Sequence, residues 1–210
     1  MDLESPLRTI ASPVEAETLR VLAGADAEFS ASEVHRLIES ASPYGVRKAL
    51  ARLADAGLVL STVHGNVTFW RGNRQHVLWP AIESAVDARR VLLDRLRDEL
   101  AKRNGLAAYL YGSFARRSAG PDSDIDILVV YPDDTSHDTI VDFAFDLSEQ
   151  IRAWTGNEGH LYNATRTWLQ ESIEGADPVV MSIRQDAVTL MGPEFEQLLR
   201  EIRSEKLAHA

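Results

Sequence analysis

Two aspartates one residue apart, Asp124 and Asp126, follow a Gly-Ser pair in the segment Tyr109-Leu-Tyr-Gly-Ser-Phe-Ala-Arg-Arg-Ser-Ala-Gly-Pro-Asp-Ser-Asp-Ile-Asp-Ile-Leu-Val-Val130. An apolar run of strand length ends at Gly112-Ser113. A helical turn begins there, a polar Gly-Pro loop follows, and a second apolar strand carries the two aspartates. Alternation along a strand puts both carboxylates on one face and turns Ile125 and Ile127 into the core. Side by side, two carboxylates repel and are penalised unless a cation sits between them. Mg2+ is the expected cation, because it prefers hard oxygen ligands and bridges carboxylates to nucleotide phosphates. Gly112 permits close backbone approach, and Ser113 with the N–H groups after it can hold phosphate oxygens at a helix start.

The same residues resemble the signature of the polymerase-β-like nucleotidyltransferase superfamily: an apolar residue, Gly-Ser, a spacer, then Asp-apolar-Asp-apolar. The likeness is greatest to the minimal nucleotidyltransferases. Ser113-Phe-Ala-Arg-Arg117 stands where that group commonly has Ser-x-Ala-Arg-Gly, and Ser123-Asp-Ile-Asp-Ile127 where it has Ser-Asp-x-Asp-Leu. The resemblance implies transfer of a nucleoside monophosphate from a nucleoside triphosphate, most commonly ATP, to an acceptor hydroxyl with release of pyrophosphate. It assigns the catalytic and Mg2+-holding roles to Asp124 and Asp126, the triphosphate to Gly112 and Ser113, and neutralisation of phosphate charge to Arg116. Many relatives carry a third carboxylate on the next central strand. Here that strand, Gly159-His-Leu-Tyr-Asn-Ala-Thr165, holds no acid. Asn163 is the expected occupant of the position, Glu158 at the strand's start is the substitute, and His160 lies beside them.

Elements must position these residues, and the chain supplies two groups of them. Ser12-Pro13 caps a helix ending at Gly24, Ser30-Ala-Ser-Glu33 is a capping box for a second, and Ser42-Pro43 opens a third that stops at Gly57. A hairpin follows, Leu58 to Val63 and Val67 to Trp70 around His64-Gly65-Asn66. Pro80 to Arg103 reads as one long linking helix, and Asn104-Gly105 closes it before the strand Leu106 to Tyr111. After the aspartates come a helix from Asp138 to Trp154, the strand Gly159 to Thr165, and helices around a short strand that ends at Gly192. The expected fold class is α/β (α+β), with modules at 1–79, 80–104 and 105–210. The last is a small mixed sheet flanked by helices, as the nucleotidyltransferase resemblance implies.

The three helices and hairpin resemble a winged helix-turn-helix. That family sets its third helix in the major groove of duplex DNA, which would point Tyr44, Arg47, Lys48 and Arg52 at the groove and make Arg71 and Arg74 wing contacts. Charge agrees: residues 41–78 carry a net +4, whereas the excess acid of the whole chain, net −10, falls on residues 105–210. A basic patch beside an acidic module suggests two different partners.

A chain without cysteine excludes disulfides and thiolate metal sites, and the dispersed histidines form no zinc-like pair. No apolar stretch reaches membrane-spanning length and the first residues lack a signal-peptide pattern, so no membrane partner and a cytoplasmic location are expected. A homodimer is a further candidate state. Two other classes compete with the enzyme: a DNA-binding regulator whose degenerate transferase fold senses nucleotide, and a toxin–antitoxin component.

Overall fold

The computed structural model describes residues 1–38, 41–175 and 177–209. Serines precede the first three helices and cap two of them. Helix α1 (Pro13–Ala23) begins after Ser12, whose hydroxyl donates to the Glu15 carboxylate at 2.7 Å and bonds no backbone amide. In α2 (Ala31–Leu37), Ser30 Oγ accepts from the Glu33 N–H at 3.3 Å while the Glu33 carboxylate takes the Ser30 N–H at 2.7 Å. Ser42 accepts from Gly45 N at the head of α3 (Pro43–Asp55). The hairpin β2 (Val59–His64) and β3 (Val67–Gly72) pairs antiparallel, and a two-residue strand β1 (Phe29–Ser30) joins its free edge. Two residues are too few to show an alternation, so β1 leaves no pattern in the sequence. Leu19, Leu22, Val34, Val46, Leu50, Leu53 and Trp79 form the core.

The expected single helix from Pro80 to Arg103 is two, α4 (Trp79–Val86) and α5 (Ala88–Leu100). They meet at Asp87, whose ψ of 8° lies outside the helical range. Aspartate competes for nearby backbone groups and is a poor helix-interior residue, which makes it the weak point of the run. Two compact units divide inside α5. One comprises Asp2 and Glu4–Val91, the other Met1, Leu3 and the chain from Leu92 onward.

In the second unit the chain runs through β4 (Ala107–Tyr111), the short α6 (Gly112–Ala115), β5 (Ile125–Tyr131), α7 (His137–Thr155), β6 (Gly159–Thr165), α8 (Arg166–Glu174), α9 (Pro178–Asp186), β7 (Val188–Met191) and α10 (Phe195–His209). The sheet has the order β6-β5-β4-β7, with β5 and β6 parallel across α7 and the other pairs antiparallel, a small mixed sheet. Helices cover both faces, so β5 is apolar nearly throughout. Ile125, Ile127, Val129 and Tyr131 pack with Leu96, Leu100, Leu147 and Ile151 of α5 and α7. Leu128 and Val130 pack with Leu169, Ile183 and Leu198 of α8, α9 and α10. Among the described residues, no helix is long and apolar enough to cross a membrane.

Candidate active site

Asp126 is the one acid inside β5. It continues the row of Leu128 and Val130, on the face covered by α8 to α10. Asp124 precedes the strand by one residue rather than lying within it, as the sequence pattern suggests, because the first ladder pair is Ile125 with Gly159. The two carboxylates nevertheless converge. His160 Nδ1 stands 3.5 Å from Asp124 Oδ2 and 3.8 Å from Asp126 Oδ1. Burial pushes the Asp126 carboxyl above the usual range and Asp124 adds to the rise, while His160 and Arg116 pull against it. Tyr111, register partner of Asp126, has its phenol raised by burial first and then by Asp126 and Tyr162.

Gly112 is fixed by that carboxylate. Its φ is +74°, and a Cβ built there would lie 2.3 Å from Asp126 Oδ2, inside any tolerable contact. Ser113 is the second residue of α6. Its carbonyl accepts from Ser118 N at 3.0 Å, and its hydroxyl makes no hydrogen bond among the described residues. Arg116 reaches α9 and pairs with Asp186. Arg117 closes α6 in the left-handed region at φ +58°, with Arg117 N on Phe114 O at 3.3 Å and Ser118 N on Ser113 O at 3.0 Å. That is the helix-closing position where glycine is preferred. Arg117→Gly is therefore expected to stabilise this unit by about 1 kcal/mol, read from the denaturant midpoint at unchanged m-value.

Of the two candidates for the third position, Asn163 lies on the other face of the sheet from Asp126, and Glu158 turns its carboxylate to an arginine of α7. Asn163 pairs with Val129, on the face of α5 and α7, and accepts from Tyr131 OH at 3.1 Å. Burial pushes that phenol up to about 12, against the pull of Arg103, so it remains a donor. Glu158 pairs with Arg152 at 3.4 Å, and its carbonyl takes the Ile125 N–H. The parallel register gives the place beside Asp126 to His160, followed on the same face by Tyr162, which packs on Trp168 with ring centroids 5.3 Å apart. A one-residue slip in a strand exchanges faces, and the sequence offers no marker of this register. Asp186 and Asn157 had no sequence signal. Asn157 is an isolated amide after a helix stop, and Asp186 is distant in the chain from its partner Arg116.

In the first unit, Tyr44, Arg47 and Lys48 share an exposed face of α3 at helical spacing, and Arg71 is exposed on β3. Arg52 is engaged by Glu15. Arg74 pairs with Asp26 at 3.3 Å and with Glu83, and lies over the Trp79 ring.

Among the described residues, no group of three or more His, Cys, Asp or Glu side chains is arranged to hold a metal ion. A lone pair of carboxylates does suit Mg2+, which commonly takes one or two carboxylates and completes its shell with water and substrate phosphates.

A Gly-Ser turn set against paired aspartates on a mixed sheet defines a nucleotidyl-transferring class of domain. The sequence profile of that class, described as Nucleotidyltransferase domain, matches residues 93–205, more than half of the chain, and the chain belongs to this family. No curated protein matches it in sequence. Solved structures that the chain is similar to include a toxin–antitoxin complex with AMP-PNP, at 18% identity over 55% of this chain and 87% of that one, with a TM-score of 0.38. Two others are the MntA–HepT toxin–antitoxin and a tri-AMPylated Shewanella oneidensis HEPN toxin with its MNT antitoxin. Each is 17% identical over 57% of this chain and 87% of that one, at TM-score 0.35.

Proposed function

We propose that the second unit transfers a nucleoside monophosphate from a nucleoside triphosphate, with ATP the favoured donor, to an acceptor hydroxyl. The convergence of Asp124 and Asp126 against the bare face of Gly112 carries this reading. In the reaction the acceptor oxygen bonds the α-phosphorus, the bond to the bridging oxygen breaks, pyrophosphate leaves with that electron pair, and the acceptor proton is lost. Asp124 and Asp126 would hold Mg2+, which when bound supplies charge neutralisation on the phosphates. Gly112 lets the triphosphate approach the backbone, the Ser113 hydroxyl and the amides after it donate to phosphate oxygens, and Arg116 adds fixed positive charge. Titration calorimetry of ATP into the protein with and without Mg2+ tests this directly. Binding that needs the ion supports it, and no binding of any triphosphate sinks it.

A nucleotide sensor without transfer is the second reading, favoured by the absence of an acid beside Asp126 on β6. Two variants probe that position. His160→Asp puts a third carboxylate on the face of Asp126 and is expected to raise magnesium-dependent ATP affinity about tenfold, whereas Asn163→Asp, on the opposite face, leaves it within about twofold. Equal responses would contradict the assignment of faces. Transfer that appears only in His160→Asp would favour the sensor.

For the first unit we propose a winged helix-turn-helix that binds duplex DNA, with Tyr44, Arg47 and Lys48 at the groove and Arg71 on the wing. Arg52 and Arg74 play a smaller part, because each already has a carboxylate partner. Arg47→Glu with Lys48→Glu is expected to weaken duplex binding at least about tenfold and to lower the salt slope by about 2. Unchanged binding and slope by fluorescence anisotropy would refute the groove assignment.

A further inference from the structure

The loop that delivers Asp124 is a tight turn from Gly120 to Ser123. Ser123 N donates to Gly120 O at 3.2 Å and Gly120 N to Ser123 Oγ at 2.8 Å. Two of its carbonyls turn to a single side chain: Asn157 Nδ2 donates to Pro121 O at 3.0 Å and to Ser123 O at 2.9 Å. Asn157 is 5% exposed and follows Gly156, the left-handed cap of α7. Its own N–H donates to Thr155 Oγ1 at 3.0 Å, and that hydroxyl donates to Ile151 O at 2.7 Å. Asn157 Oδ1 accepts from the nitrogen of Met1 at 2.8 Å. Both amide hydrogens are thus spent on the loop, and the carboxamide cannot rotate without losing bonds in a buried place.

We infer that Asn157 is the positioning residue for Asp124. Asp126 is held by the ladder, between Tyr111 on β4 and His160 on β6, and needs no such help. Asp124 lies before the first ladder pair. Its backbone is fixed on the far side by Ser123 O, which Asn157 grips. A carboxylate pair that must share one ligand tolerates little drift. The end of α7 therefore sets the spacing of the pair. The inference rests on the transferase reading only for its effect on nucleotide binding.

Asn157→Asp keeps size and the acceptor toward Met1 but replaces the two donors with an oxygen facing two carbonyls. In the nucleotide-free protein, NMR amide exchange at Gly120 and Ser123 is expected to quicken about tenfold while Leu128 and Val129 are unchanged. Asn157→Ser, which keeps one donor, gives an intermediate effect. Magnesium-dependent ATP affinity falls about tenfold in Asn157→Asp, while ATP affinity measured without Mg2+ stays within about twofold. A merely structural residue would lower affinity equally with and without the ion. That outcome, or unchanged exchange at Gly120 and Ser123 in a folded variant, overturns the inference. If the wild type binds no ATP, the transferase reading fails and the exchange data alone decide the role of Asn157.

Discussion

Asp126→Asn is expected to abolish the magnesium-dependent part of ATP affinity and to lower transfer by about a thousandfold, with Asp124→Asn close behind, because one carboxylate leaves the ion underligated and its charge half matched. The fold should survive and even gain. A carboxyl whose folded pKa is raised favours the native state below its unfolded pKa, and that advantage is lost as pH rises through the folded value. At neutral pH ionised Asp126 therefore burdens the fold, and an amide removes both the cost of burying charge and the repulsion from Asp124. Calorimetry beside thermal melts at neutral pH checks both parts. Loss of binding with a melting temperature at or above that of the wild type is the expected result, whereas retained magnesium-dependent binding in Asp126→Asn would refute the site.

Gly112→Ala is the second large effect. The new methyl would sit 2.3 Å from Asp126 Oδ2, and the backbone at φ +74° already disfavours any side chain. Either the carboxylate swings away or β4 and α6 shift. We expect a stability loss of about 3 kcal/mol and an affinity loss approaching that of Asp126→Asn. The two causes separate in a double variant. With Asp126 also shortened to Ala the collision is gone and only the backbone cost of about 1 kcal/mol remains, so the stability losses should be strongly non-additive. Additive losses from chemical denaturation would mean that Gly112 and Asp126 do not meet.

Local chemistry explains what could be read from the residues alone. The capping box at Ser30 and Glu33, the stop at Gly57 and the strand from Gly159 to Thr165 are each written in a few consecutive residues, and all three occur as expected. The Gly-Ser turn and the Asp-Ile-Asp run are local for the same reason. What stayed hidden depends on partners distant in the chain. Whether His160 or Asn163 flanks Asp126 is a question of register between two parallel strands separated by α7, and a shift of one residue reverses the answer. Carboxylates remote in sequence engage Arg52, Arg74 and Arg116, namely Glu15, Asp26 and Asp186, so composition counts as unpaired three arginines that each already have an acidic partner. The break at Asp87 is a weak local preference that a helical apolar pattern conceals.

The pairing of Arg116 with Asp186 bears on the entropy of binding. A free arginine gives up about 2 kcal/mol of side-chain freedom when it grips a ligand. Arg116 has already surrendered much of that to Asp186, whose side chain is only 13% exposed and would be left uncompensated if released. One of its five N–H donors is taken in this pair, and the rest of the planar fork stays open on a half-exposed guanidinium. In the proposed reaction an arriving triphosphate would meet a cation that does not have to be recruited from solution, and the ordering cost would fall on folding rather than on each round of capture.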